Sequence, residues 1–291
     1  MTLTATILGC GSSTGVPRVG LGWGDADPTN PKNRRRRCSL LVERRDPAGA
    51  RTCVLVDTSP DLREQLLDTN VEWLDAVLYT HEHADHTHGI DDLRPLTLKR
   101  RRLIDVYADT ATSRSLNARF GYCFVTPPGS KYPPILTEHR LEAGRPVTVH
   151  GDAGAITAFP FAQVHGEIDA LGFRFGNLAY SADVSDFPSA SVPLLQGLDV
   201  WILDALRYRP HPSHFALGDA LHWIEQVEPK RAILTNMHSD FDYEKLRREL
   251  PPHVEPAYDG LRIEVAEPPA QGGPGGTLKR PIFSTRNMNV P

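Results

Sequence analysis

The segment from Thr80 to His88 constrains this chain more than any other stretch, because it holds four histidines, one glutamate and one aspartate. Imidazole nitrogens and carboxylates are the groups that bind Zn²⁺ and similar divalent metals. The apolar run 75–79 before it is typical of a buried strand, so the segment should form the loop where that strand ends. Folds that mix helices and strands commonly place their sites at such ends. The segment therefore predicts half of a two-metal site, with the candidate ligands His81, His83, Asp85 and His86.

The length of the chain and the alternation of its strand-like and helix-like segments predict one main domain. It has 291 residues, of which 40% are hydrophobic, and this is enough to bury a large core. Strand-like and helix-like segments alternate without a clear break over residues 1–265. Within them, residues 120–146 are less regular, which predicts a lid, a partner surface or a packed surface excursion. Residues 266–291 are rich in glycine and proline and predict an extended arm or disordered tail.

Charge and composition exclude several classes of protein. The net charge is -4 and the isoelectric point is near 6.3, which argues against bulk binding of nucleic acid or membrane surfaces. The N-terminus lacks the basic region and cleavage site of a secretory signal, and no apolar stretch approaches the length of a membrane span. We therefore expect a soluble, cytoplasmic protein without a membrane partner. The four cysteines form no CxxC pair, so neither a disulfide framework nor a sulfur-ligated zinc is indicated.

Short apolar runs predict two groups of strands, one on each side of the irregular segment 120–146. Helix-like segments lie among both groups, and this predicts two sheets with helices outside them. In the second group, three strand-like runs each end just before another residue of a metal-binding type. These additional candidate ligands are His165, Asp183 and His238.

The motif His81-x-His83-x-Asp85-His86, followed in order by these three residues, resembles the metallo-β-lactamase-fold hydrolases. The resemblance covers residues 4 to about 264 and implies an α+β fold, an αββα sandwich of two mixed sheets with helices on the outer faces. It also implies two divalent metal ions per chain, Zn²⁺ or Mn²⁺, with Fe²⁺ as a further alternative. The ligands that it assigns to one ion are His81, His83 and His165. Those that it assigns to the other ion are Asp85, His86 and His238, with Asp183 as the bridge between both.

The N-terminal stretch 8–17, together with residues 37–41 and 55–57, resembles a phosphodiesterase branch of that superfamily. This branch contains the phosphoribosyl 1,2-cyclic phosphate phosphodiesterase of phosphonate degradation and is related to the tRNA 3′-processing endonucleases. Its enzymes keep a histidine between the bridging aspartate and the last ligand, and His214 matches that position. Residues 22–27 lack the clustered cysteines that bind an accessory zinc in the cyclic phosphodiesterase, so that zinc should be absent.

We therefore predict a binuclear metal-dependent hydrolase, a phosphodiesterase for a small cyclic phosphate or nucleotide-like phosphodiester. In this mechanism a metal-bridging hydroxide attacks phosphorus, Asp183 and Asp85 are the catalytic carboxylates, and His214 donates a proton to the leaving alkoxide. Asp57 ends a strand beside the motif and is either a partner that orients a ligand imidazole or a helix cap. The substrate phosphate is predicted to bind Arg34, Arg37 and His214.

Three alternatives to a small-molecule phosphodiesterase remain open from the sequence. A tRNA 3′-processing endonuclease requires a basic RNA-binding face, and the long arm by which many of these enzymes grip tRNA is not evident. A thioester or lactone hydrolase uses the same metal ligands. A non-enzymatic binding protein of cofactor biosynthesis shares the fold, although it is expected to have lost ligands. A homodimer is a further expectation, because relatives are commonly dimers.

Overall fold

The computed structural model describes residues 2–265, in which β-strands alternate with short helices. The strands are β1 Thr2–Gly9, β2 Ser39–Arg45, β3 Arg51–Val56, β4 Ala76–Leu78, β5 Ile104–Ala108, β6 Leu136–Arg140, β7 Val147–Gly151, β8 Gly154–His165, β9 Ile168–Phe175, β10 Leu178–Ser181, β11 Val200–Asp204, β12 Arg231–Thr235, β13 Val254–Pro256 and β14 Arg262–Val265. The α-helices are α1 Leu62–Asp68, α2 Ala84–Thr87, α3 Arg94–Arg100, α4 Thr110–Phe120, α5 Leu217–Val227 and α6 Tyr243–Glu249.

The strands form two seven-stranded mixed sheets. The first has the order β14-β1-β2-β3-β4-β5-β6, with parallel pairing from β3 to β6. The second has the order β13-β12-β11-β10-β9-β8-β7, with parallel pairing from β10 to β13. In both sheets the antiparallel strands lie on one side of the sheet and the parallel strands on the other, and helices or helical turns connect most of the parallel strands.

Strand β3 shows why the layers stack as they do. Successive side chains of a strand point to opposite faces of the sheet. Val54 and Val56 therefore pack in the apolar core that includes the second sheet, whereas Cys53 and Leu55 pack in a second core with Leu62 of α1. On the other sheet, helix α5 contributes its apolar side to the larger core. The predicted αββα sandwich is confirmed.

The topology brings functional side chains to one edge of the sandwich. Strands β10, β11 and β12 are parallel, so their carboxyl ends coincide, and β8 runs in the same direction because both β8 and β10 are antiparallel to β9. In the first sheet β3 and β4 are also parallel and end together. Residues immediately at or beyond these ends are Asp57, His81, His165, Asp183, Asp204, Asn236 and His238.

The structure refines several local expectations. Helix α1 begins at Leu62, and in the turn before it the hydroxyl of Ser59 accepts from the amide of Asp61. The segment 120–146 is not wholly irregular, since it contains β6, which extends the first sheet beyond β5. All four cysteines are free and buried. The predicted tail 266–291 lies outside the described residues.

Within residues 2–265, no helix has the length and apolar character required to cross a membrane.

Gly89 holds the histidine-rich segment against the loop that follows β3. Its amide donates to the carbonyl oxygen of Thr58, and an added Cβ would press into the carbonyl oxygen of Ser59 and lie 2.8 Å from Cβ of Leu62. We expect Gly89→Ala to lower the free energy of unfolding by about 2 kcal/mol, measured by urea denaturation, because the backbone must shift to make room. Gly121→Ala is the matched control, since an added Cβ there meets nothing within 4 Å. Equal stability of both variants would contradict the expected crowding.

Candidate metal centre

Four of the predicted ligands converge into one cluster: His81, His83, His165 and Asp183. The Nδ1 atom of His83 lies 3.0 Å from Nε2 of His81 and 3.2 Å from Nε2 of His165. Oδ2 of Asp183 lies 3.6 Å from each of those two Nε2 atoms. Ligand atoms about 2.1 Å from a tetrahedral zinc ion are separated by roughly 3.4 Å. The spacing of the four donor atoms therefore fits a single divalent cation.

A second cluster shares Asp183 and adds Asp85 and His86. Nε2 of His86 lies 3.4 Å from Oδ2 of Asp85 and 3.4 Å from Oδ2 of Asp183. This nitrogen is buried and has no hydrogen-bond partner among the described residues. A buried polar atom without a partner is costly. A cation between the imidazole and the two carboxylates would satisfy it, so the residues present fit a second metal ion.

In three of the histidines, a partner at Nδ1 orients the ring so that Nε2 faces its ligand cluster. Nδ1 of His165 donates to the carbonyl oxygen of Ser213 at 2.7 Å. Nδ1 of His86 contacts Oδ2 of Asp57 at 2.7 Å, and Nδ1 of His81 contacts the hydroxyl of Thr80 at 3.0 Å. Such partners fix the tautomer and orientation of a metal-binding imidazole. The chain therefore prepares three Nε2 lone pairs for metal binding.

Asp57 is fully buried and links two parts of the histidine-rich segment. Besides the contact with His86, its carboxylate accepts from the amide and the hydroxyl of Thr80, both at 2.8 Å. Its own backbone has a φ of 63°, a left-handed conformation that a non-glycine residue adopts only at some cost. Of the two roles considered for Asp57, the structure favours the first, because the carboxylate contacts the imidazole of the candidate ligand His86 and the N-cap of α1 is Asp61.

Asp183, the predicted bridge, is oriented by a residue that sequence reasoning missed. Oδ1 of Asp183 accepts from the side-chain amide of Asn236 at 2.8 Å, which leaves Oδ2 facing the histidines of both clusters. Both residues are buried, with φ values of 52° and 59°. The signal available in the sequence was an asparagine directly after an apolar strand and two residues before His238. Asparagine tolerates the left-handed conformation better than most residues do.

Burial and neighbouring charges shift the pKa values of the histidines in this centre. Burial, reinforced by repulsion from His86, lowers the pKa of His81 well below its usual range, and burial also lowers the pKa of His165. Burial opposes the charged form of His86, but Asp183, Asp85 and Asp57 outweigh it and raise its pKa well above the usual range. Three carboxylates around one imidazole thus concentrate negative charge where a cation fits.

His214 forms a buried pair with Asp204 beside the first cluster. Nδ1 of His214 lies 2.8 Å from Oδ2 of Asp204, and its ring centre lies 4.6 Å from that of His165. Burial disfavours the imidazolium, but the attraction of Asp204 outweighs burial and raises the pKa of His214 to about 9. Burial raises the pKa of Asp204 in turn. The pair is suited to holding a proton next to the metal ligands.

The remaining predicted residues belong to neither of the two clusters found among the described residues. Nε2 of His238 lies 3.0 Å from Nη1 of Arg18, which sequence reasoning had not singled out. Arg34 is exposed, whereas Nε of Arg37 is paired with Oδ2 of Asp61 at 2.9 Å. The roles of His238 as a ligand and of Arg34 and Arg37 as substrate contacts stay predictions.

Removal of the Asp57 carboxylate should loosen the metal centre. We expect Asp57→Asn to weaken metal binding roughly 10–100-fold, the usual cost of losing an outer partner of a ligand histidine. Retained metal would be measured by elemental analysis after dialysis against a graded series of chelator concentrations. Asp46→Asn in the hairpin turn between β2 and β3 is the control. Unchanged metal retention in Asp57→Asn would show that His86 does not depend on this contact.

The two sheets and the clustered candidate ligands define a protein of the metallo-β-lactamase fold. The family model of the beta-lactamase superfamily domain matches residues 52–237. The crystal structure of a diphosphatase from the PhnP family is 36% identical, with a TM-score of 0.81, over 91% of this chain and 98% of that chain. The chain belongs to the beta-lactamase superfamily and, within it, to the PhnP family. The metallo-β-lactamase fold implies divalent metal ions, and the clusters of candidate ligands supply a place for them.

Two curated proteins are also similar to the chain. An octanoyltransferase of Porphyromonas gingivalis (strain ATCC BAA-308 / W83) is 35% identical over 90% of this chain and 51% of its own length. A ribonuclease Z of Bradyrhizobium sp. (strain ORS 278) is 31% identical over 50% of this chain and 46% of its own length. The chain thus spans about half the length of either relative.

Proposed function

We propose that this protein is a metal-dependent hydrolase, a phosphodiesterase that cleaves a small cyclic phosphate or nucleotide-like phosphodiester at a centre of two divalent ions. The observation that carries the proposal is the position of Asp183, whose Oδ2 lies 3.4 to 3.6 Å from Nε2 of His81, His86 and His165. One carboxylate oxygen thus faces both ligand clusters at once. A pair of ions held in this way suits displacement at phosphorus, because both the attacking and the leaving oxygen need stabilisation.

The metal ions would be held by the two clusters joined at Asp183, and Zn²⁺ and Mn²⁺ both suit imidazole with carboxylate. When bound, such ions activate water near neutral pH and neutralise charge on phosphoryl oxygens. Residues that are not themselves candidate ligands orient the ligand side chains. Asp57 fixes the ring of His86, and Asn236 fixes the direction of the Asp183 carboxylate.

His214 would supply the proton that a poor leaving group requires. Its Nδ1 is engaged by Asp204, so Nε2 is the atom available to a substrate oxygen. The contact with the ring of His165 places it next to the first cluster. An alkoxide leaves phosphorus slowly unless it is protonated, and a positioned histidine contributes by general acid catalysis. His214 is therefore the proposed proton donor, with Asp204 as its positioning partner.

Acyl transfer, suggested by the name of the octanoyltransferase relative, has less support from the described residues. A cysteine nucleophile must form a thiolate at neutral pH. Burial instead raises the pKa of Cys53 to about 12 and that of Cys123 to about 11. Burial likewise raises the pKa of Cys10 well above its usual range and raises that of Cys38. The proposal of a phosphodiesterase is consistent with these inert thiols.

The deciding experiment is a substrate screen with protein reconstituted in Mn²⁺ or Zn²⁺. The panel contains phosphoribosyl 1,2-cyclic phosphate, 2′,3′-cyclic nucleotides, bis(p-nitrophenyl) phosphate, a diphosphate ester, a precursor tRNA and a glutathione thioester. We expect metal-dependent hydrolysis of the small phosphodiesters and little turnover of tRNA or thioester. Preferential cleavage of the thioester or of the precursor tRNA would overturn the proposal in favour of the corresponding alternative.

A further inference from the structure

Arg18 reaches the predicted metal ligand His238 from a tight loop in the N-terminal segment. The backbone of Arg18 pairs with that of Gly22 through two hydrogen bonds of 2.9 and 2.8 Å, which closes a short hairpin. From there its half-buried side chain extends to His238, and Nη1 lies 3.0 Å from Nε2 of the imidazole. The guanidinium is therefore hydrogen-bonded to the nitrogen through which His238 would bind a metal ion.

The chemistry of the two side chains fixes the direction of this hydrogen bond. A guanidinium is always charged and can only donate, so Nε2 of His238 must accept. The ring proton is then on Nδ1, which donates to Oδ1 of Asp240 at 2.7 Å. A histidine that binds a metal ion through Nε2 has the same tautomer. The single lone pair on Nε2 can serve either Arg18 or a cation, but not both.

The backbone of His238 is held in place, so exchange must occur at the Arg18 side chain. The amide of His238 donates to the carbonyl oxygen of Leu206 at 2.9 Å. Its carbonyl oxygen accepts from Nη1 of the buried Arg35 at 3.3 Å. Arg18, by contrast, is on a loop in which Gly20 and Gly22 adopt left-handed conformations next to exposed side chains. The guanidinium is the partner that can move away.

The two metal clusters are consequently unequal. The first brings together four candidate ligands, whereas the second brings together three and would need His238 as its fourth. We propose that Arg18 competes with the second metal ion for His238, so that one subsite binds its ion tightly and the other binds weakly and exchangeably. This inference rests on the proposed two-ion centre. The second ion must displace a hydrogen bond from a charged donor and approach a positive guanidinium, and both effects weaken its binding.

The test is a metal titration by isothermal calorimetry, with elemental analysis of the bound ions, in the absence of substrate. Wild-type protein should bind one Zn²⁺ tightly and a second more weakly. In Arg18→Met the second ion should bind about tenfold more tightly or better, because a charge-assisted hydrogen bond no longer competes. Arg18→Gln, which keeps a weaker donor, should be intermediate. Arg248→Met removes the same charge from the exposed surface of α6 and should leave both affinities unchanged.

A double-mutant cycle makes the inference specific to His238. In a His238→Ala background, Arg18→Met should no longer strengthen binding of the second ion. Equal affinities of the two subsites in the wild-type protein, or an unchanged second affinity in a folded Arg18→Met variant, would overturn the inference. Neither result would affect the phosphodiesterase proposal, which the substrate screen tests separately. Protein that binds no ion at all would overturn both.

Discussion

Replacement of Asp183 by asparagine should abolish detectable phosphodiester hydrolysis, with a loss of roughly 10³-fold or more in turnover. Oδ2 of Asp183 is the only described atom shared by both ligand clusters, with His86 Nε2 at 3.4 Å on one side and His81 Nε2 at 3.6 Å on the other. An uncharged amide cannot balance two cations held so close together. Bound metal should fall together with activity.

The control for this variant is Asp186→Asn, three residues further along the chain. Asp186 is exposed, and its carboxylate accepts from the amide of Phe187 at 2.9 Å. It should keep both ions and full turnover. Metal content and activity are measured on the same preparations, with circular dichroism to establish folding. Full activity of Asp183→Asn with two bound ions would refute the bridging role.

Replacement of His214 by alanine should lower kcat roughly 10²–10⁴-fold while leaving the bound metal unchanged, because His214 lies beside the ligand clusters but belongs to neither. The size of the loss should depend on the leaving group. An alkyl ester or cyclic nucleotide needs protonation of its leaving oxygen, whereas p-nitrophenolate leaves readily without it. Steady-state kinetics with both substrate types therefore isolates proton donation.

His222→Ala on the exposed face of α5 is the matched control and should leave kcat unaltered. Asp204→Asn tests the positioning partner of His214, and its effect should show the same dependence on the leaving group but be smaller. An equal loss for p-nitrophenyl and alkyl leaving groups in His214→Ala would contradict proton donation. It would instead assign His214 a role in holding the substrate.

The candidate ligands of the first cluster were predictable because each follows a recognisable strand. The apolar run before Thr80 predicted that His81 and His83 lie on a loop at a strand end, and the structure places them there. The strand-like runs 156–159, which precedes His165, and 178–181, which precedes Asp183, gave the same signal in the second half of the chain. Parallel strands end at a common edge of their sheet, so local patterns sufficed to indicate which side chains gather there.

The basic run from Arg34 to Arg37 shows what such local patterns do not determine. The four arginine side chains meet different environments, and the contacts of Arg34 and Arg37 with a substrate phosphate stay predictions. Arg35 is buried and donates to the carbonyl oxygens of His238 and Phe241, while Arg36 pairs with Asp68 at 2.7 Å. Neighbouring residues in an irregular segment need not point their side chains the same way, because the segment lacks the regular repeat of a helix or a strand.

The amino-acid sequence by itself determined the alternation of strands and helices, the types of metal ligand and their order along the chain. Only the tertiary structure decided which atoms meet: Asn236 on Asp183, Asp204 on His214 and Arg18 on His238. The partners Arg18 and His238 are 220 positions apart in sequence. Contacts over such separations depend on how the two sheets pack, and packing is a property of the whole core rather than of any local period.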